Sequence, residues 1–558
     1  MSATPLLDAA WRTGALRAID HALAQSLRRL DPATPDAVLA AAALASLAVA
    51  HGLAAFDLAA PDSLLGDGHG IPWPDAAAWR RALEASRWVA TPATGDEPAA
   101  PGHPLVLEVA PGAPALLYLR RYRQYERRVA DGLQRLARSA SAAGGVDLVT
   151  GGPGTGKTTA IARTLVALVE AARRDGRSDP RIALAAPTGR AAERMAESVR
   201  GALALLAGEG TDAGVLDALP TTGSTLHRLL GTIPDSPRFR HDADNPLPFD
   251  VVVVDEASMI DLPLMAKLLD AVPDGARLVL LGDPDQLPSV EAGDVLSAII
   301  RGADADGGCL PARRTHLTRA WRQDDALHLA PLAGAVRDGQ ADTALSLLRG
   351  GTLSGVHFHE DMADPLRDHG ERLLAHWRAL VDAATPAEAL AMASRLRLLT
   401  AVRDGPQGAR TLNRRIEGML GGAGHFHGRL LMITENSYRH RLFNGDIGIC
   451  FRDGAGAVLA WFPGDAPGSP RPFHPAALPA HDSAFAMTVH KAQGSEFDEA
   501  WLLLPAHDSR VLSRELVYTG MTRARRTLHV AADAGVLATA LARHAGRWSG
   551  LAWRLGRP

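Results

Sequence analysis

Short apolar runs recur along the chain, and helical patterns separate them. Val146–Thr150, Ile182–Ala186, Val251–Val254 and Leu278–Leu281 form a first set. Leu396–Thr400, Ala484–Thr488, Glu499–Leu504 and Thr527–Ala531 form a second, in a unit that starts near Thr315. Strands that are apolar throughout are buried on both faces, as in a parallel sheet covered by helices. The pattern predicts an α/β fold with two parallel-sheet units, each binding ligands at the carboxyl ends of its strands.

Two regions depart from this alternation. Before the first strand, Leu6–Leu30, Asp36–Ala60 and Trp79–Trp88 have helical spacing, and loops such as Gly66–Pro74 and Thr91–Pro104 divide them. A basic helix begins near Tyr118. Within the second unit, Gly428–Phe462 carries short β-like runs punctuated by Asn444–Gly445, Asp453–Gly454 and Gly456, which signal hairpins. The expected organisation is a helical N-terminal domain over residues 1–112, a first α/β domain over 113–308 and a second over 309–558. A small β-barrel is expected within the second, over 428–482.

Composition narrows the class. The 558 residues carry a net charge of −3, so any nucleic-acid binding must come from local grooves and not from a global basic field. Cys309 and Cys450 are far apart and show no metal-ligand spacing, so a disulfide scaffold is excluded and a reducing compartment expected. Ala37–Phe56 is long and apolar but dominated by alanine, contains His51, and is flanked by Asp36 and Asp57. A buried helix fits it better than a membrane span. No secretory signal is visible, so a cytoplasmic protein is expected.

The candidate chemistry begins at Gly151-Gly152-Pro153-Gly154-Thr155-Gly156-Lys157-Thr158-Thr159, directly after a strand. Glycines there let several backbone N–H groups converge on one phosphate chain, and the next helix adds its positive end. Lys157 would reach the β- and γ-phosphates of ATP, and the Thr158 hydroxyl would ligate Mg²⁺. The bland alternative is a Gly-rich turn that binds nothing. Val251–Val254 delivers Asp255 and Glu256: Asp255 to hold Mg²⁺ through water, Glu256 to activate the attacking water. Gln286 follows another strand and suits a γ-phosphate sensor. Thr188, Gly189 and Arg190 open a helix after a third strand, a natural grip for a phosphate backbone, or simply a capped helix start. Thr225 and His227 repeat that theme more weakly. Thr488, His490 and Lys491 offer further donors for a phosphate backbone, while Gln493, Gly494 and Glu496 suit nucleotide and ribose. Arg322 and Arg523 are candidates for the arginine that stabilises charge on a transferred phosphate.

Taken together and in order from Gly151 to Arg526, these strings resemble the motifs of superfamily 1 helicases. GGPGTGKTT resembles motif I, APTGRAAERM motif Ia, VVVVDEAS motif II and LGDPDQLPSV motif III; LTRAWRQ resembles motif IV, TVHKAQGSEF motif V and LVYTGMTRARR motif VI. GDPDQLPSV and HKAQGSEFD are similar to the RecD family, the alpha subunits of exodeoxyribonuclease V. The resemblance implies two RecA-like motor domains with ATP and Mg²⁺ in the cleft between them, and an SH3-like barrel interrupting the second. It also implies 5′→3′ movement on single-stranded DNA within a complex with RecB-like and RecC-like subunits. Stand-alone relatives carry a longer front segment with helix-hairpin-helix motifs, and no convincing repeat of that motif precedes the P-loop here. An N-terminal domain that docks on a RecC-like partner is therefore expected. Trp321 stands where many relatives have Tyr, with Arg322 beside it unchanged. Three other readings stay open: a stand-alone RecD-like DNA helicase, a regulatory ATPase subunit that signals without translocating, and a small-molecule kinase, which would leave Gln286, His490 and Arg523 unexplained. No Asp…Glu-x-Lys nuclease pattern is present, so cleavage is assigned to a partner.

Overall fold

A computed structural model describes residues 5–65, 70–92, 102–109, 112–138, 144–304, 310, 312–318, 326–362, 364–437, 439–464, 468–547 and 549–556. The P-loop strand Gly145–Gly151 lies inside a six-stranded sheet. Its spatial order is Arg313–Leu317, Gly145–Gly151, Arg277–Gly282, Val251–Val254, Ile182–Ala186 and Ser224–Thr225, all parallel. The all-valine strand shows why the pattern looked continuous. Val251 and Val253 pack with Ile161, Leu165, Met195 and Val199 on one face. Val252 and Val254 pack with Val129, Leu133, Met265 and Leu268 on the other. We call this unit the first lobe.

The second lobe is built on a five-stranded sheet, also parallel throughout, in the order Val356–Glu360, Ala524–Ala532, Phe497–Leu503, Leu396–Thr400 and Ala486–Thr488. Between its strands the chain leaves to form Leu430–Ile433, Ile447–Arg452, Val458–Phe462, Arg471–Phe473 and His481–Ser483, paired antiparallel into a five-stranded sheet. The Asn-Gly signal marks a true turn, since Gly445 has φ +94° and its N–H donates to the Ile433 carbonyl at 2.9 Å.

Two expectations change. The N-terminal unit is not wholly helical: beside helices Leu6–Arg12, Ala18–Leu30, Asp36–Ala50 and Ala76–Glu84 it carries a four-stranded sheet, ordered Ala55–Asp57, Ala115–Leu119, Leu105–Val109, Val89–Ala90. The run expected to be helical to Ala60 stops at Gly52, whose φ of +78° turns the chain into the first of these strands. The helix Asp36–Ala50 is buried on all sides, and no helix among the described residues is long and apolar enough to cross a membrane.

The boundary at residue 309 also fails. Arg313–Leu317 joins the first lobe as an edge strand. It carries four polar or charged residues in a row, which hid it, and two of them pair within the lobe: Arg313 with Asp147 at 2.9 Å and His316 with Thr150 at 2.9 Å. At the far end of the chain, helix Leu551–Leu555 returns to the first lobe, where Leu551 and Leu555 join its core.

Candidate nucleotide site between the lobes

The P-loop takes the shape its glycines permit. Gly154 and Gly156 have φ +74° and +81°, and Gly156 caps the helix Lys157–Arg174. Thr155 Oγ1 donates to the Gly152 carbonyl at 2.9 Å. Lys157 Nζ donates to the carbonyls of Gly151 at 2.6 Å and Gly152 at 2.9 Å, so its ammonium lies on the concave side of the loop.

Asp255 and Glu256 leave the valine strand opposite that loop. Burial, and then the Glu256 charge, push the Asp255 carboxyl up to about 6 although Lys157 pulls it down. Glu256 has φ +52°, a left-handed conformation that costs a non-glycine residue on the order of 1 kcal/mol. Its N–H donates to Asp255 Oδ1 at 2.8 Å. Gln286 is buried and donates from Nε2 to Asp283 Oδ2 at 3.2 Å.

The second lobe completes the wall. Pro153–Thr159, Asp255, Glu256, Gln286, Glu496 and Arg523 line one cavity of about 80 Å³. Arg523 is buried and donates to the carbonyls of Thr519 at 3.0 Å and Ser495 at 3.3 Å. Burial lowers its pKa, while the Glu256 and Glu496 carboxylates favour its charge. A larger cavity of about 860 Å³ adjoins the P-loop and includes His316, Leu329, Arg337 and Tyr518 in its lining. Arg322 lies outside the described residues.

Three residues expected at the nucleotide hold the lobes together. Gln493 Nε2 donates to the Leu287 carbonyl at 2.9 Å, and the Gly494 carbonyl accepts from Arg194 at 2.8 Å. Glu496 lines both cavities and pairs with Arg194 at 2.7 Å and Arg525 at 3.0 Å. Gln493 and Gly494 therefore join the seam, because the strand that follows them starts at the lobe boundary.

The candidate grips for a phosphate backbone meet near the same seam. Thr188 and Thr225 each cap a helix, accepting from the N–H groups of Ala191 and Arg228 at 3.2 Å. Their strands are neighbours, with Ala186 beside Thr225. Gly189 and Arg190 begin the helix Gly189–Gly208, and burial, then Arg194, lower the Arg190 pKa. His227 meets the Phe239 ring edge-on at 5.7 Å, the contact of a packed side chain. Thr488 Oγ1 accepts from Lys491 N–H at 3.4 Å, and Lys491 Nζ pairs with Asp482 at 3.3 Å. His490 is held below its usual pKa by burial and then by Arg547. A Cβ on Gly494, three residues after Lys491, would lie 3.7 Å from Thr188 Oγ1, so the chain that follows the second lobe's candidate grip runs against the first lobe's.

Sequence reasoning missed the polar ties around Gln286. Tyr518 donates its hydroxyl to Asp283 Oδ2 at 3.2 Å, and Thr519 Oγ1 accepts from Leu287 N–H at 2.7 Å. Burial, then the Asp283 charge, drive the Tyr518 pKa up, which keeps the phenol a donor. Tyr518 and Thr519 both lie in VYTGMTRARR, the same string that carries Arg523.

Comparison with known proteins fits this arrangement. Residues 12–110 match the RecBCD enzyme subunit RecD N-terminal domain, 134–292 an AAA domain, and 483–531 a UvrD-like helicase C-terminal domain. The RecBCD enzyme subunit RecD of Mycobacterium tuberculosis is 38% identical over 592 aligned positions, covering 100% of this chain and 97% of that one. Its counterpart in Mycolicibacterium smegmatis is 39% identical, covering 87% and 88%. That of Haemophilus influenzae is 34% identical, covering 75% and 71%. With two lobes meeting at one P-loop and likeness to the Mycobacterium tuberculosis relative over the whole chain, the chain belongs to the RecD family of helicases.

Proposed function

We propose that this protein is an ATP-dependent DNA helicase, the RecD-type subunit of a RecBCD-like helicase-nuclease that acts in double-strand-break repair by recombination. The observation that carries the reading is the shared cavity: Lys157, Asp255 and Glu256 come from one lobe, Arg523 and Glu496 from the other. A nucleotide bound there draws on both lobes, so its hydrolysis changes how they meet.

Each residue has a task in that cycle. The P-loop amides and Lys157 bind the phosphates, and Arg523 neutralises charge on the γ-phosphate as it transfers, with Arg322 as a second candidate. Glu256 takes a proton from the attacking water, and Gln286 senses whether the γ-phosphate is present. Asp255 and Glu256 crowd negative charge opposite the loop, a donor set that suits a hard cation. Thr158 and Asp255, the latter through water, would hold Mg²⁺, which supplies charge neutralisation on the phosphates. Closure and opening would alternately tighten Thr188–Arg190, with Thr225 and His227, and Thr488–Lys491 on single-stranded DNA, moving it 5′→3′. Phosphate contacts make such binding tolerant of sequence and sensitive to salt.

In this reading the lobes are RecA-like domains and the antiparallel insert is an SH3-like barrel. The N-terminal unit docks on a RecC-like partner, a RecB-like partner carries the nuclease, and the complex works in the cytoplasm. Strand displacement on duplexes with 5′ or 3′ single-stranded tails tests it. Unwinding should require the 5′ tail and vanish in Lys157→Gln. Equal unwinding from both tails defeats the polarity. ATPase activity without any unwinding, alone or with partners, supports a regulatory subunit in its place.

A further inference from the structure

No motif contains Arg547, yet it sits where three parts of the chain meet. After helix Ala534–Ala542 the chain turns back toward the first lobe, anchored by Arg543 on Asp508 at 2.7 Å. Arg547 Nη1 then donates to the Glu291 carbonyl at 2.5 Å, the same oxygen that accepts from Ser289 Oγ at 3.0 Å. The guanidinium rests on Gly52 of the N-terminal unit, where a Cβ would come within 2.6 Å of its carbon. The Gly52 carbonyl in turn accepts from Gly293 N–H at 2.9 Å.

The loop so held continues from Gln286. Its near end is fixed from the second lobe, by Thr519 on Leu287 N–H at 2.7 Å and Gln493 on the Leu287 carbonyl at 2.9 Å. Its far end is fixed by Arg547 and Gly52. Leu287 and Ala292 are buried and Leu262 N–H ties the Ala292 carbonyl at 3.1 Å, but at the tip between them Val290 is 70% exposed, so there the polar anchors hold the loop. Gln493, which holds the Leu287 carbonyl, directly follows the short helix His490–Ala492, so the same loop also meets the segment that carries His490.

We propose that Arg547 is a positioning residue: by fixing Ser289–Gly293 it holds Gln286 and the His490 segment in register, so that the nucleotide site and the DNA path respond to one another. The inference rests on the proposed function, since it concerns how that site is coupled. Without the anchor, the loop absorbs a displacement at Gln286 in place of passing it on.

The test compares full-length wild type, Arg547→Ala and Arg547→Lys in steady-state ATP hydrolysis with and without single-stranded oligonucleotide, alongside ATP-analogue affinity and thermal melting. In Arg547→Ala, nucleotide affinity and basal turnover should stay within about twofold of wild type while stimulation by DNA falls roughly tenfold, the scale of a typical coupling energy. Arg547→Lys keeps the charge and should recover part of the stimulation. Wild-type stimulation in Arg547→Ala overturns the proposal. So does a joint loss of affinity, basal turnover and melting temperature that Arg547→Lys does not relieve, because that marks a structural anchor alone. If wild type itself ignores DNA, the proposed function falls and this inference falls with it.

Discussion

Arg194 Nη2 lies 2.7 Å from Glu496 Oε1, one side chain from each lobe, and Arg194 Nη1 donates to the Gly494 carbonyl beside it at 2.8 Å. One guanidinium thus engages a carboxylate and a backbone oxygen across the seam. Burial works against the Glu496 charge, but Arg194, Arg525 and Arg523 outweigh it and hold the carboxyl down at about 2. The pair is therefore charged at any pH where the protein works. Removing either partner should loosen the closed state, and the two losses should not add. A double-mutant cycle of Arg194→Met and Glu496→Gln, read as ATP-analogue affinity, should return a coupling of about 1–2 kcal/mol. Strict additivity would show that the ion pair does not link the lobes.

Glu256 is the residue proposed to activate water, and its backbone φ of +52° is in keeping with that role. Strain in a non-glycine residue persists where the surroundings impose it, which is common at reactive sites. Glu256→Gln keeps the shape and removes the base. Its kcat for ATP should fall about 10²- to 10⁴-fold with nucleotide affinity nearly unchanged. Single-turnover hydrolysis alongside equilibrium binding checks both. A matching loss of affinity would mean that Glu256 binds and does not catalyse.

Much of this was legible because buried parallel strands leave an unmistakable trace. Val251–Val254 faces two apolar layers at once, so no position in it can be polar. What escaped was the edge. Arg313–Leu317 is mostly exposed and Val356–Glu360 alternates apolar with polar residues, so no apolar run announces either strand. The sites follow the same division. Lys157, Asp255 and Glu256 follow strands in contiguous motifs, whereas Arg194, Tyr518 and Arg547 matter through partners more than 200 residues away. Spacing along the chain carries no record of such meetings.

Histidines line one patch of the second lobe and should make its stability depend on pH. His529 is buried, with its ring stacked on Trp501 at 4.0 Å, and bonds His359 at 2.9 Å. Burial, and then the nearby His357 and Arg372, push its pKa down to about 3. An unfolded histidine titrates near 6.5, so between about pH 6.5 and 3 the unfolded chain takes up a proton that the folded chain refuses. Stability should thus be full above that window and fall as pH drops through it. Melting temperatures measured from pH 8 to pH 4 should show this decline, and His529→Gln should flatten it. An unchanged slope in the variant would assign the acid sensitivity elsewhere.

The last turn of the chain closes a buried ionic cluster that joins three units. Glu108 comes from the N-terminal sheet and Glu126 from helix Arg120–Arg138, and they are 1% and 0% exposed. Arg554 reaches both, at 3.1 Å to Glu108 and 3.3 Å to Glu126, while Arg123 donates to Glu108 at 2.8 Å. Ser549 Oγ and Gly550 N–H add bonds to Glu126 at 2.7 and 3.0 Å. Two carboxylates out of water are tolerable only while these donors remain, so deleting one cation strands charge in the interior. Arg554→Ala should cost about 3–5 kcal/mol in urea unfolding, a penalty of the size measured when one partner of a buried pair is removed. Part of that loss should return at lower pH, because burial already raises the Glu126 pKa and a protonated carboxyl needs no cation. A cost below 1 kcal/mol, or one independent of pH, would show that the cluster is not what seats the C-terminal helix.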